Sequence, residues 1–192
     1  MEHFLNPLIL LISMIRRIKP IFSTVIEQIR PRRRSRVGAR PGTIVVDPAA
    51  PKPRIHAFLF GANQLEEIGI EGLDQLPGPP AEDRILWINV DGLGDADTIM
   101  RIGKLFNLHP LALEDVVNTH QRSKAEAYED RVFVVARMVR LEERLRSEQV
   151  SLFLGANFVI TFQERVGDCF DQVRHRLREG LGQIRARGAD YL

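Results

Sequence analysis

The stretch His109–Lys124, HPLALEDVVNTHQRSK, concentrates two histidines and an adjacent Glu-Asp pair in sixteen residues. Metal ligation, acid-base chemistry and plain helix capping all have to be weighed for it. His109 and His120 lie eleven residues apart, whereas two imidazoles share one zinc when they stand four apart on a helix. Zinc is therefore disfavoured. Pro110 suits a first helical position and Asn107 or His109 supplies the cap, so a helix through Leu111, Leu113, Val116 and Val117 accounts for His109 without any chemistry. Glu114 and Asp115 are different. Neighbouring helical side chains project about 100° apart, so the two carboxylates do not readily grip one ion together. A hard cation such as Mg2+ wants about six oxygens and keeps several of its waters. From chemistry alone, the pair reads either as a solvated acidic face or as part of an outer-sphere cation site completed by another segment or subunit.

Other chemistry finds less support. Gly92-Leu93-Gly94 sits between a strand and a helix as a dinucleotide fingerprint would, but the third glycine is missing, and Asp91, Asp95 and Asp97 would repel phosphate. A turn and a helix cap explain it better. The serines lack a G-x-S-x-G context, and neither H-E-x-x-H nor paired C-x-x-C occurs. Cys169 is the single cysteine, which excludes an intramolecular disulfide, suits a reducing compartment and reads as a small core residue. No nucleophile, base or cofactor loop emerges, so an enzyme is not expected.

The elements that must position these residues follow from periodicity. IHAFLF and RILWINVDG read as strands, separated by the loop LPGPPAED. Asp95 or Asp97 caps a helix whose apolar face is Ile99, Ile102, Leu105 and Phe106. RVFVVARMV is a further strand, and QVSLFLGANFVITFQE is a hairpin turning at Gly155-Ala156-Asn157. Asp168 caps a last helix with Phe170, Val173 and Leu177 inward and Arg174, Arg176 and Arg178 mainly outward. These elements predict an α/β (α+β) domain with a mixed sheet flanked by helices over residues 55–192. Ala189–Leu192 resembles the first turn of a helix, which suggests a chain truncated before that helix continues.

Residues 1–54 form a separate part. They carry 11 Lys/Arg against 3 Asp/Glu, leaving 16 against 22 for the rest, so a basic arm precedes an acidic domain that attracts cations rather than nucleic acid. PLILLISMI is about half the length needed to span a bilayer, and the charges around it do not suit a cleavable signal. Leu8, Leu11, Ile15, Ile18, Phe22, Val25 and Ile29 recur at helical spacing, predicting an amphipathic helix kinked at Pro20. RPRRRSR and the proline-rich run after it read as a solvated linker or as a contact for anionic headgroups, with no specific nucleic acid expected.

HPLALEDVVNTHQRSKAEAYEDRVFVVARM, with SEQVSLFLGANFVITFQERVGDCFDQVRHRLREGLGQIRARGADYL, closely resembles the cytoplasmic domain of the CorA family of magnesium and cobalt transport proteins. The likeness runs from about Leu108 to Leu192; Ser123 stands where the family usually has proline, which should loosen a turn and leave the fold intact. The resemblance implies a homopentameric channel at the cytoplasmic face of the membrane, whose stalk and transmembrane helices are not in this sequence. It implies a regulatory role for this part, with Mg2+, and Co2+ as a second candidate, held between subunits. Asp115 is the implied first ligand and Glu114 a weaker second; His120 and Arg122 are assigned to structure. The competing expectation is a stand-alone binding module derived from that domain and tethered to membrane or nucleic acid by the arginine-rich arm.

Overall fold

The computed structural model describes residues 40–81, 83–141 and 145–192. The expected amphipathic helix and the arginine cluster fall outside the described residues. Among the described residues, seven strands and three α-helices follow in chain order: β1 (Arg54–Gly61), β2 (Gln64–Ile70), β3 (Ile85–Asp91), α1 (Ala96–Leu105), α2 (Pro110–Val117), β4 (Lys124–Tyr128), β5 (Arg131–Leu141), β6 (Leu145–Leu154), β7 (Phe158–Gln163) and α3 (Asp171–Glu179). Short 3-10 turns occupy Leu73–Gln75 and Ala189–Tyr191.

The strands make one sheet in the order β2-β1-β3-β7-β6-β5-β4. Every pairing is antiparallel except β3 with β7, which run parallel with Leu86 opposite Phe158 and Asp91 opposite Gln163. The mixed sheet flanked by helices is thus as expected. β3 is buried along its whole length, as a strand covered on both faces must be, and its sequence ILWINVD shows the near-continuous apolar run of such strands. Period-two alternation sends its residues to opposite layers. Leu86, Ile88 and Val90 join Phe158, Ile160 and Phe162 of β7 and the apolar faces of α1 and α2 in one core. Ile85 and Trp87 join Phe58, Phe60 and Val159 with Leu177 of α3 and Ile184 in the other. Helices on both faces of a central sheet make this a three-layer α/β unit.

Two strands went unpredicted, β2 (QLEEIGI) and β4 (KAEAY), and they form the two edges of the sheet. Edge strands bury little, and Glu, Lys and Ala are poor strand formers, so neither run shows the usual signal. Two further expectations are corrected. Cys169 is exposed in the turn before α3 and is not a core residue. Arg174 does not face outward; its side chain is 15% exposed and paired with Asp168.

The glycines after β3 serve backbone approach. A Cβ on Gly94 would stand 2.2 Å from the Ala50 carbonyl oxygen, and one on Gly92, whose φ is +100°, would stand 2.7 Å from those of Pro51 and Lys52. The Gly94 amide donates to the Pro51 carbonyl at 2.8 Å. Residues 42–53 therefore run as a strap against the start of α1, with Ile44 and Val46 packed on the core.

Candidate cation-binding site

α2 is set by its first residues. His109 is the N-cap, its Nδ1 accepting from the Leu111 amide at 3.3 Å, with Pro110 at the first helical position. The imidazole also stacks on Tyr128 with ring centroids 4.6 Å apart. His109 is thus committed to capping and packing. Ala112, Leu113 and Val116 form the buried face, and Leu113 lies so close to Gly103 of α1 that a Cβ there would stand 2.2 Å from it. Docking that face leaves Glu114 and Asp115 toward the rim.

The two acids diverge. Glu114 Oε2 accepts from the Gly42 amide at 2.8 Å and so anchors the start of the strap. Asp115 faces the chain that follows: Oδ1 accepts from Gln121 Nε2 at 2.6 Å and Oδ2 accepts from Lys124 Nζ at 2.6 Å. Lys124 Nζ also donates to Glu126 Oε2 at 2.8 Å, to which the Tyr128 hydroxyl donates at 3.0 Å. The Phe133 ring centroid lies 5.7 Å from Nζ. Partial burial pushes the Lys124 pKa down, but the bonds to Asp115 and Glu126 outweigh it and leave it raised. The bond from Lys124 in turn lowers Glu126.

This arrangement is held from beneath by Gln149 of β6, a buried residue. Its Nε2 donates to the Asp115 carbonyl at 3.0 Å and its Oε1 accepts from the Gln121 amide at 3.1 Å, so one side chain clamps both ends of the loop leaving α2. Arg137 adds a bond to the Thr119 carbonyl at 3.0 Å. Sequence reasoning missed Gln121, Lys124, Glu126 and Gln149. The signal for two of them was present, since Lys124, Glu126 and Tyr128 share one face of β4 by period-two spacing, but it is readable only once that run is known to be a strand.

A second polar cluster lies at the carboxyl ends of β3 and β7. Asp168, with a side chain 2% exposed, is paired through both carboxylate oxygens with Arg174. Gln163 Nε2 donates to it at 3.2 Å and to Asn89 Oδ1 at 3.1 Å, and Thr161 Oγ1 donates to Asn89 Oδ1 at 2.6 Å. Burial pushes Asp168 up, but the Arg174 pair and the Phe170 amide outweigh it and hold its pKa below the usual range. Asp91 moves the other way, raised by burial and then by the nearby Asp168 charge. Every acid here is tied to amides or to arginine, which makes the cluster a clamp between β3, β7 and α3. A cavity of about 360 Å³ opens between His109, Tyr128 and Arg131. Arg131 Nε is bonded to the Phe106 carbonyl and the Tyr128 hydroxyl to Glu126, so both polar groups are already engaged.

Among the described residues no group of three or more His, Cys, Asp or Glu converges as a metal cage, and no helix is long and apolar enough to cross a membrane. The carboxylate oxygens that α2 offers are engaged instead by the Gly42 amide, Gln121 and Lys124. They do not form an all-protein cage.

The model of the family described as CorA-like Mg2+ transporter protein matches residues 82–189, more than half of the chain. The chain belongs to this family. Over 109 residues it is 49% identical to the cobalt/magnesium transport protein CorA of Thermotoga maritima, an overlap covering 55% of this chain and 31% of that protein. Over 114 residues it is 34% identical to the putative metal ion transporter YfjQ of Bacillus subtilis, covering 59% and 33%. The matched part of the chain thus spans about a third of the length of these two relatives. The structure of the full-length CmaX protein matches with a TM-score of 0.55 at 19% identity, covering 72% of this chain and 42% of that one. At that identity the likeness concerns the fold, and it agrees with the α/β architecture described above.

Proposed function

We propose that this chain is the divalent-cation-sensing, regulatory part of a CorA-like magnesium and cobalt transporter, governing a pore built by segments of the protein outside this sequence. The observation that carries the reading is Asp115. The CorA-like match runs through it, and its carboxylate, 21% exposed, is matched by a lysine ammonium at the protein's rim rather than enclosed in the core. Asp115 is the first cation ligand and Glu114, turned toward Gly42, the weaker second. Further oxygens come from water and from another copy of the protein in a homopentamer at the cytoplasmic face of the membrane.

Carboxylates of neighbouring copies brought face to face repel, and a shared Mg2+, or Co2+, supplies the charge that relieves the repulsion. Asp115 then favours the assembled arrangement when the cation is plentiful and a looser one when it is scarce, a population shift driven by differential binding. The test is a Mg2+ titration of this chain and of Asp115→Asn, following thermal unfolding. A ligand at about ten times its Kd adds about 1.4 kcal/mol to the folded state. The native chain should therefore gain stability that the variant does not; equal gains would remove Asp115 from the role.

A further inference from the structure

The cation position beside Asp115 is already filled, and what fills it is part of the chain. Lys124 Nζ stands 2.6 Å from Asp115 and 2.8 Å from Glu126, with the Phe133 ring centroid 5.7 Å away. Two carboxylates and a ring face converge on one point, the chemistry that receives a cation. The arrangement is not sealed, since the side chains of Lys124, Asp115 and Glu126 are 27%, 21% and 40% exposed. An aqueous ion reaches it without unfolding the domain. The partners also differ in freedom. Asp115 is fixed through Gln121 and through the Gln149 bond to its own carbonyl. Lys124 rides on a flexible four-carbon stem from the edge strand β4, between the exposed Ala125 and Ser123.

We propose that Lys124 is a built-in competitor for the divalent cation: the ion takes Asp115 by displacing the ammonium, and that displacement frees Glu126 as a second carboxylate ligand from the same chain. The inference rests on the reading of Asp115 as a cation ligand and adds Lys124 as the residue that sets its threshold. Charge favours the exchange. The ammonium matches the two carboxylates with one positive charge, whereas a divalent ion matches them with two, and the displaced ammonium turns out into water on its flexible stem. The apparent affinity falls by the fraction of molecules in which the ammonium has left, because only those are competent to bind.

Amide resonances of Asp115 and Gln121 followed through a Mg2+ titration, with Mn2+ broadening as a second probe, test this on the native chain, Lys124→Gln, Lys124→Gln/Glu126→Gln and Asp115→Asn. The lysine variant should bind about tenfold more tightly, and the double variant should lose most of that gain. In the native chain the Lys124 ammonium nitrogen signal should shift with the same midpoint as the Asp115 amide. Unchanged or weaker binding by Lys124→Gln, or no response in either it or the native chain, overturns the proposal. An ammonium signal that stays put while Asp115 saturates does the same, and needs no variant to fold. Asp115→Asn separates the two readings: binding as tight as native overturns the role of Asp115, whereas lost binding alongside an unchanged Lys124→Gln removes Lys124 alone.

Discussion

The Asp168 carboxylate and the Arg174 guanidinium meet through paired hydrogen bonds, both largely withdrawn from solvent, with the guanidinium 5.4 Å over the Trp87 ring. Breaking a buried pair costs more than the pair is worth, because the survivor is left charged in a poor solvent. Asp168→Asn should destabilise the domain by about 3 kcal/mol in chemical denaturation. Trp87 is the only tryptophan, so its emission reports the loss of order around Arg174 without ambiguity.

The two acids at this end of the sheet titrate with opposite sense. Asp168 is depressed in the fold, so its contribution is present above the unfolded carboxylate range, about pH 4, and is lost as the pH falls through its lower folded value. Asp91 is raised by burial and by Asp168; its contribution is present below about pH 4 and is lost as the pH rises through its folded value. Asp91→Asn should therefore raise the thermal midpoint at pH 7, with the gain shrinking as the pH approaches 4. Parallel melting curves for variant and native chain across that span would contradict this.

Gly94→Ala forces a methyl group against the Ala50 and Pro51 carbonyls, 2.2 and 2.8 Å away. Neither is the free end of a side chain, so the strap must move. A loss of about 1–3 kcal/mol is expected, together with faster proteolysis between residues 42 and 53. Unchanged proteolysis would mean that the strap tolerates the shift.

Glu114→Ala removes the acceptor of the Gly42 amide. About 1 kcal/mol should be lost for this partly exposed bond, and hydrogen exchange at Gly42 should quicken. The same variant should blunt a Mg2+ response less than Asp115→Asn does, since the two carboxylates point to different neighbours.

Much of the fold was legible because burial writes itself into sequence. ILWINVD, RVFVVARMV and FVITFQ are strands covered by helices or by each other, and Asp95 and His109 cap their helices as their positions suggest. β2 and β4 were illegible for the converse reason, since edge residues are chosen for solvent. The site was half legible. Glu114 and Asp115 were visible as adjacent acids on a short helix, and only the CorA resemblance put Asp115 first; its partners come from the loop, the edge strand and β6, and no local period links position 115 to Gln149. Arg174 was misplaced because a helical wheel knows nothing of an acid buried three residues before the helix begins.

The parallel contact of β3 with β7 joins residues such as Asn89 and Thr161, 72 positions apart. Closing so long a loop is entropically costly and slow compared with forming a hairpin. During synthesis β3 can pair with β1 at once, yet its other margin stays bare until β7 has left the ribosome. A nascent chain halted before Phe158 would display Ile85–Asp91, a strand buried along its whole length in the finished domain, as an open invitation to other chains. The order of manufacture thus makes the last central strand the one that protects the first, and a chaperone holding β3 in the interval would act where the folding pathway is most exposed to aggregation.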